Sequence, residues 1–425
     1  MKKVLIISCF LTSILLAASC SKENISPILD DDGVLIYQPF IWKYSLHEGG
    51  DFNSNSFIDK PIVFENKKIL IPTTMSNGNR NLKLLNERGE HLWSWSDIFT
   101  NSYPNDYGID IFVKFDNILA WQVGSRSYCI NLNNGKTLWK LIRNQSFDYL
   151  IHSYKYNYFF LYGYKTREDG YAGYTAYKGS IETGLLSEFL SANLSCEYIA
   201  PISENGDVGG IIYINEIVNT DYLLVTYAEP LPEWAVRSMF GLYNTETQEW
   251  VYERVILKEP HWTTSVFHTP IIYNDKAYAN VGTSIVCHEV MTGNQKWRRD
   301  FPNDFLFSGF IIEDGMLIAL CEDGKLYRLN PETGGVVWTG EGAGTSSRMS
   351  YMNGVVYFVG GSTGKLHAVD VYTGETVWRL DAELIEGSNA EFRTNAVYVI
   401  PGQGNEKGKV VALTHMHAYC FEAYR

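Results

Sequence analysis

Two stretches decide the fold: Gly324-Lys325-Leu326-Tyr327-Arg328-Leu329-Asn330-Pro331-Glu332-Thr333-Gly334-Gly335-Val336-Val337-Trp338 and Gly364-Lys365-Leu366-His367-Ala368-Val369-Asp370-Val371-Tyr372-Thr373-Gly374-Glu375-Thr376-Val377-Trp378. They match position for position at a spacing of 40 residues. Apolar and polar residues alternate on either side of a Thr-Gly pair, which is the period of half-buried strands joined by a tight turn. The turn glycine supplies a positive φ without a steric penalty. Four strands are expected in the second unit: one ending near Tyr351, then 355–359, 366–371 and 375–380, with Asn353-Gly354 as the first turn. The Trp falls on the last strand, where a large ring can wedge between neighbouring sheets.

Weaker copies run through the chain. Residues 287–297 keep the Thr-Gly and Trp297, 131–139 keep Gly135 and Trp139, and 84–93 keep Gly89 and Trp93. Residues 243–250 keep a Trp, Trp250, without the Gly, and 181–186 keep Thr183-Gly184 without the Trp. Four-stranded units repeated every 40–45 residues or so indicate a β-propeller. Seven outer strands are counted in this way, the one lacking a Trp lying near Leu186. Beyond Trp378 the chain supplies three further strands (392–400, 410–414 and 417–423) and stops short of a fourth. The missing strand is found at the other end. Residues 40–45 read as an outer strand, Trp42 included, with nothing before it to pair with. An all-β propeller of eight four-stranded antiparallel blades follows, its ring closed by strand 40–45 pairing with 417–423 so that no edge is left open. Trp42, Trp93, Trp139, Trp250, Trp297, Trp338 and Trp378 are the expected docking residues between blades.

The N-terminus reads as an export signal. Lys2 and Lys3 precede an apolar run from Val4 to Ala18, too short to span a bilayer. The run ends Leu16-Ala17-Ala18-Ser19-Cys20, which resembles a bacterial lipobox, with Ala17 where Leu is usual. A plain Ala-x-Ala secretory site is the rival reading, and the cysteine at position 20 favours acylation. The expected organisation is a signal peptide over 1–19, a polar tether over 20–33 after lipidated (palmitate-type) Cys20, and one propeller over 34–425. The tether is polar and ends in Asp30, Asp31 and Asp32, so deletion of residues 21–32 is expected to leave the melting temperature nearly unchanged. A lipid-anchored place in the cell envelope follows, most readily the outer membrane, with the periplasmic or surface side open.

The formal charge is −13, and loss of Lys2 and Lys3 with the signal makes it −15. An acidic chain without a basic cluster is a poor partner for nucleic acid. Of seven cysteines, Cys9 leaves with the signal and Cys20 takes the anchor. Five remain, an odd number that argues against a full disulfide framework. Cys129, Cys287 and Cys420 fall at or near the third-strand position of Ala368 and are expected to be buried, unreactive thiols.

The pattern at 364–378 resembles the tryptophan-docking repeat of pyrroloquinoline-quinone enzyme (PQQ-like) propellers, specific over about 301–380 and recognisable over nearly all of the mature chain. That resemblance covers quinoprotein dehydrogenases and also the non-catalytic lipoprotein propeller of the outer-membrane β-barrel assembly machine. It implies the fold and leaves function to the site. The dehydrogenases of the family share a clamped quinone, a bound Ca²⁺ and often a vicinal disulfide. This chain has no adjacent cysteines and no acidic set spaced for Ca²⁺, so neither cofactor nor metal is expected and no catalytic residue is assigned.

In a blade with its first strand innermost, the Thr-Gly turns and the first-to-second-strand turns share one end of the ring. The second-to-third-strand loops and the blade-to-blade connections share the other, and they hold the irregular material. Binding residues gather on such loops. The candidates are Tyr103, Tyr107, Tyr171, Tyr174, Trp234, His261 and Trp262. Trp234 and Trp262 lie off the repeat register, and each could equally pack its own loop. Arg348 and Arg393 could line the central channel or pair with acidic neighbours. His261 and His268 could approach a metal, but lack a partner at diagnostic spacing. The expected function is a monomeric, non-catalytic, membrane-anchored platform for an envelope protein or glycan. A quinone-dependent alcohol or sugar dehydrogenase and a surface glycan-binding lipoprotein are the alternatives.

Replacing the anchor residue, Cys20→Ser, is expected to release a folded protein from membranes. The check is acyl labelling and membrane fractionation, and unchanged fractionation with retained label would contradict the lipobox reading.

Overall fold

The computed structural model describes residues 26–46, 57–58, 62–63, 67–74, 79–98, 112–123, 126–142, 147–152, 158–166, 172–190, 209–231, 236–259, 266, 268–306, 308–345, 347–384, 391–393 and 397–425. Their regular elements are all strands, and they form eight blades. Blade seven shows the plan: Ser350–Met352, Val355–Val359, Leu366–Asp370 and Thr376–Leu380, paired in that order. Its first turn places Asn353 and Gly354 at φ 49° and 74°. Two successive positive values make the primed turn whose twist suits a hairpin.

The other blades repeat this. Blade one is Ile69–Thr74, Asn79–Leu85 and His91–Ile98, with Phe57–Ile58 and Ile62–Val63 on its inner side. Blade two is Phe112–Phe115, Ile118–Val123, Arg126–Asn131 and Thr137–Ile142. Blade three is Phe147–His152, Tyr158–Thr166, Ala172–Ser180 and Leu186–Leu190. Blade four is Gly209–Glu216, Tyr222–Pro230, Val236–Asn244 and Glu249–Ile256. Blade five is Ile271–Tyr273, Lys276–Val281, Ser284–Glu289 and Gln295–Asp300, and blade six is Phe310–Glu313, Met316–Cys321, Lys325–Leu329 and Val336–Glu341.

Blade eight is composite. Val397–Ile400, Lys409–Leu413 and His417–Glu422 come from the C-terminal end, and Trp42–Ser45 from the other. The fourth strand pairs antiparallel with the third, Trp42 opposite Cys420 and Ser45 opposite His417. The core lies between blades. Trp42, Ile69, Ile71, Leu85, Val411 and Cys420 form one cluster across the junction of blades eight and one. Corresponding clusters join blades four to five, five to six, six to seven and seven to eight. Cys129, Cys287 and Cys420 stand opposite Trp139, Trp297 and Trp42, as Ala368 stands opposite Trp378. All three cysteines are buried. Burial pushes the Cys129 and Cys287 thiols up to about 11 and Cys420 to about 12, so they stay protonated and inert.

One expectation needs correction. Part of the polar tether is folded: Ile28–Leu29 pairs with Leu35–Tyr37, and Leu35 pairs in parallel with Trp378 on the outer edge of blade seven. The acidic run is the turn. The Asp30 carboxylate accepts the Val34 and Asp32 N–H groups at 2.8 and 3.1 Å, and Gly33 takes φ 79°. Asp30 also meets Arg379 at 3.5 Å. Composition marked this segment as a linker, but short side-chain-to-backbone bonds of this kind build turns irrespective of hydropathy.

Trp42→Ala is expected to cost about 3–5 kcal/mol, the range for a buried aromatic ring, and as much as Trp338→Ala despite its distance from the best repeats. Chains beginning at Ser26, at Gly33 and after Leu46 should melt in descending order, with the large drop at the last. Equal melting of the longest and shortest would show that the closing strand is dispensable.

Candidate functional site

The geometry of the ring sets where a partner can be held. Between most blades one contact recurs. The indole N–H of an outer-strand Trp donates to a main-chain carbonyl in the next blade's turn region: Trp42 to Glu87, Trp93 to Leu132, Trp139 to Ile181, Trp297 to Pro331 and Trp338 to Val371, at 2.7–3.1 Å. The ring lies over the turn glycine. A Cβ on Gly334 would come within 2.5 Å of Trp297, and one on Gly89 within 2.5 Å of Trp42. Trp378 follows a variation, since blade eight has no Thr-Gly turn. It packs in a cluster with Tyr419 and Phe421 of that blade.

Trp250 does not dock. The Trp stands four positions after the turn glycine in the repeat, and in blade four that count runs from Gln248 to Tyr252. Tyr252 faces Leu242 in the register position, and its hydroxyl donates to the Val290 carbonyl of blade five at 2.6 Å. Trp250 instead packs edge-on to Tyr243 of its own blade, with ring centroids 5.2 Å apart. In blade three the register position holds Glu188, opposite Tyr177. The junction of blades three and four has thus lost both parts of the docking pair, the indole and the glycine, since Gln248 sits at φ 60° where glycine is usual. Phe189, Tyr243 and Trp250 fill that junction in their place, and Gly173-Tyr174 pairs in parallel with Gly209-Gly210 to tie the two blades directly.

Of the candidate binding residues, Tyr103, Tyr107, Tyr171, Trp234, His261 and Trp262 lie outside the described residues, as does Cys20. Tyr174 falls within the third strand of blade three, where its backbone pairs with Tyr164. Described strands flank each candidate, and at their ends the structure shows roots that the sequence had not indicated. Ahead of Tyr103 and Tyr107, Asp97 accepts the Tyr128 hydroxyl at 2.7 Å and pairs with Lys140 and Arg126 of blade two. Burial, then the Asp97 carboxylate, pushes the Tyr128 phenol well above its ordinary range. Ahead of Trp234, the Glu229 side chain is only 3% exposed and holds Arg237 at 2.8 Å and Arg254 at 3.0 Å. Ahead of His261 and Trp262, the Lys258 ammonium donates to Ser284 Oγ at 2.7 Å and Thr283 Oγ1 at 3.2 Å in blade five. Burial lowers the Lys258 pKa against the pull of Asp300. Three connections on one end of the ring therefore leave from ionic or hydrogen-bonded roots. A buried carboxylate that loses its cations costs about 3–5 kcal/mol, so the Glu229 root is stiff.

Of the remaining candidates, His268 and Arg393 each have a close polar neighbour. His268 Nε2 is 2.7 Å from the Phe305 carbonyl oxygen. Arg393 Nη1 lies 2.8 Å from His415 Nε2. Arg348 is half-buried. Among the described residues, no group of three His, Cys, Asp or Glu side chains is placed to hold a metal.

Residues 256–423, essentially blades five to eight, match a family model described as outer membrane protein assembly factor BamB. Among solved structures, the computationally designed Ika8 protein aligns at TM-score 0.58 and 14% identity, covering 89% of this chain and 99% of that one. Quinohemoprotein alcohol dehydrogenase from Comamonas testosteroni aligns at TM-score 0.56 and 10% identity, over 90% and 76%. BamB from Moraxella catarrhalis aligns at 0.47 and 13%, over 70% and 80%. No curated protein matches the chain in sequence. The chain carries a PQQ-like β-propeller that resembles BamB. The dehydrogenase likeness, at its low identity, concerns the fold alone.

Tyr252→Phe is expected to lower stability by about 1 kcal/mol through the lost hydrogen bond, whereas Trp250→Phe should leave the contact between blades four and five intact. Denaturant unfolding checks this. A Trp250→Phe protein whose blade-five amides lose hydrogen-exchange protection would restore Trp250 as the docking residue.

Proposed function

We propose that the chain is a non-catalytic platform, held at the bacterial envelope by a lipid on Cys20, which binds an envelope protein on the end of the ring carrying the long connections. The observation that carries this reading is the rooting of those connections at Asp97, Glu229 and Lys258. A rigid ring that fixes the bases of several loops lets them meet a partner surface at a small ordering cost. The match of residues 256–423 to the assembly-factor family favours a protein partner over a glycan. Outer-membrane protein assembly is the process in which such a platform would serve. No helix among the described residues is long and apolar enough to cross a membrane.

Partner capture tests the reading. Protein carrying its anchor, crosslinked in envelope membranes of its host, should retain a defined envelope protein. The paired change Trp234→Ala and Trp262→Ala should reduce that capture at least tenfold without lowering the melting temperature. Incubation with pyrroloquinoline quinone and Ca²⁺ should give no dye reduction with alcohols or aldoses. Saturable quinone binding with turnover would move the function to a dehydrogenase, and capture displaced by free oligosaccharide would move it to glycan binding.

A further inference from the structure

The length of chain left free between Cys20 and the ring governs how the ring can sit on a membrane. Trp42, where the closing strand begins, lies 22 residues beyond Cys20. As a free tether those residues could reach about 70 Å at ~3.3 Å per residue, enough to allow any orientation. The hairpin changes that arithmetic. Leu35 is paired to Trp378, Asp30 meets Arg379, and Arg379 in turn pairs with Glu341 of blade six. Val34 is buried, Gln38 Nε2 donates to the Glu422 carbonyl at 3.0 Å, and Phe40 packs edge-on to Tyr419. Residues 28–42 are thus fastened to blades seven and eight. From the acylation position on, only residues 20–27 precede the paired segment, which begins at Ile28, and that stretch reaches about 26 Å at ~3.3 Å per residue. Strands about 4.8 Å apart make a four-stranded blade about 14 Å deep, so two opposed blades and the channel between them exceed about 28 Å. The remaining tether is shorter than the ring is wide.

We propose that this hairpin is a clasp which fixes the anchor's exit at the outer rim of blade seven and turns that rim toward a lipid bilayer. The ring then stands on edge, and the end bearing the rooted connections opens sideways along the membrane. Ile28 and Leu29, 46% and 59% exposed, form the outermost edge of this rim, where apolar side chains meet the headgroup boundary. Asp31 and Asp32 are exposed at the same hairpin, so the contact is apolar and not electrostatic, and added salt should not release it. The inference rests on the lipid anchor proposed above.

The test places single thiol labels on the acylated protein, with Cys196→Ser as background, because Cys129, Cys287, Cys321 and Cys420 are buried. Leu384→Cys follows the outer strand of blade seven and Leu185→Cys lies on blade three, four blades away. Both positions are exposed, at 82% and 68%. On phosphatidylethanolamine–phosphatidylglycerol vesicles carrying a quencher lipid, the label at 384 should be quenched several-fold more than that at 185. Loosening the clasp with Asp30→Ala and Leu35→Asp should reduce the difference while the protein still floats with the vesicles. Equal quenching in floating protein would overturn the edge-on orientation and leave the anchor standing. Failure to float would overturn both.

Discussion

An indole N–H that reaches across a blade junction to a turn carbonyl, with its ring lying over a glycine, is the interaction on which the rest of this protein depends. It joins two requirements in one contact. The ring buries a large apolar surface between two sheets, and the N–H answers a carbonyl that would otherwise be shut away from water. The glycine is needed because any Cβ at Gly89 or Gly334 would enter the ring itself. Repeated around the chain, the contact fixes the spacing of the blades. At the closure it joins residues from opposite ends of the sequence, Trp42 to Glu87 and Gly89 on one side and to Cys420 on the other.

The junction that has lost both the indole and the glycine lies in the part of the ring with the longest connections. Blades three and four have Glu188 and Gln248 where indole and glycine would stand. They are held instead by Phe189, Tyr243 and Trp250 and by a direct parallel bridge. Strands there extend to nine residues, in Tyr158–Thr166, Ala172–Ser180, Tyr222–Pro230 and Val236–Asn244. Blades five to eight are short and regular, and they are also where the assembly-factor family model matches. A conventional half of the ring thus supports a more individual half, and the proposed partner face belongs largely to the second.

The fold was legible because its signal is periodic. Thr-Gly turns at fixed spacing, the recurrent small residues at Cys129, Cys287, Ala368 and Cys420, and unmatched strands at the two ends are local facts that need no tertiary knowledge. Three features were not legible in this way. Residue type points to Trp250, whereas distance from the turn picks out Tyr252. The Asp30–Gly33 turn was hidden by its polarity, because acidic composition suggests a linker even where the carboxylate closes a turn on its own backbone. The roots at Asp97, Glu229 and Lys258 join residues from different strands, in two cases from different blades, and no spacing in the sequence announces them. The aromatic candidates on the connections stand out only by falling outside the repeat register, and six of the seven lie outside the described residues.

The most direct measurement is a double-mutant cycle between Trp42 and Gly89, 47 positions apart and facing one another only if the ring closes as described. Gly89→Ala alone should cost both the strain of a side chain at φ 77° and the collision of its Cβ with the indole. With Trp42→Ala already present, the collision is gone and only the backbone strain remains. The account predicts a coupling energy on the order of 1–3 kcal/mol from denaturant unfolding. Strict additivity of the two changes would mean that Trp42 does not lie over Gly89, and that strand Trp42–Ser45 does not close the ring onto blade one.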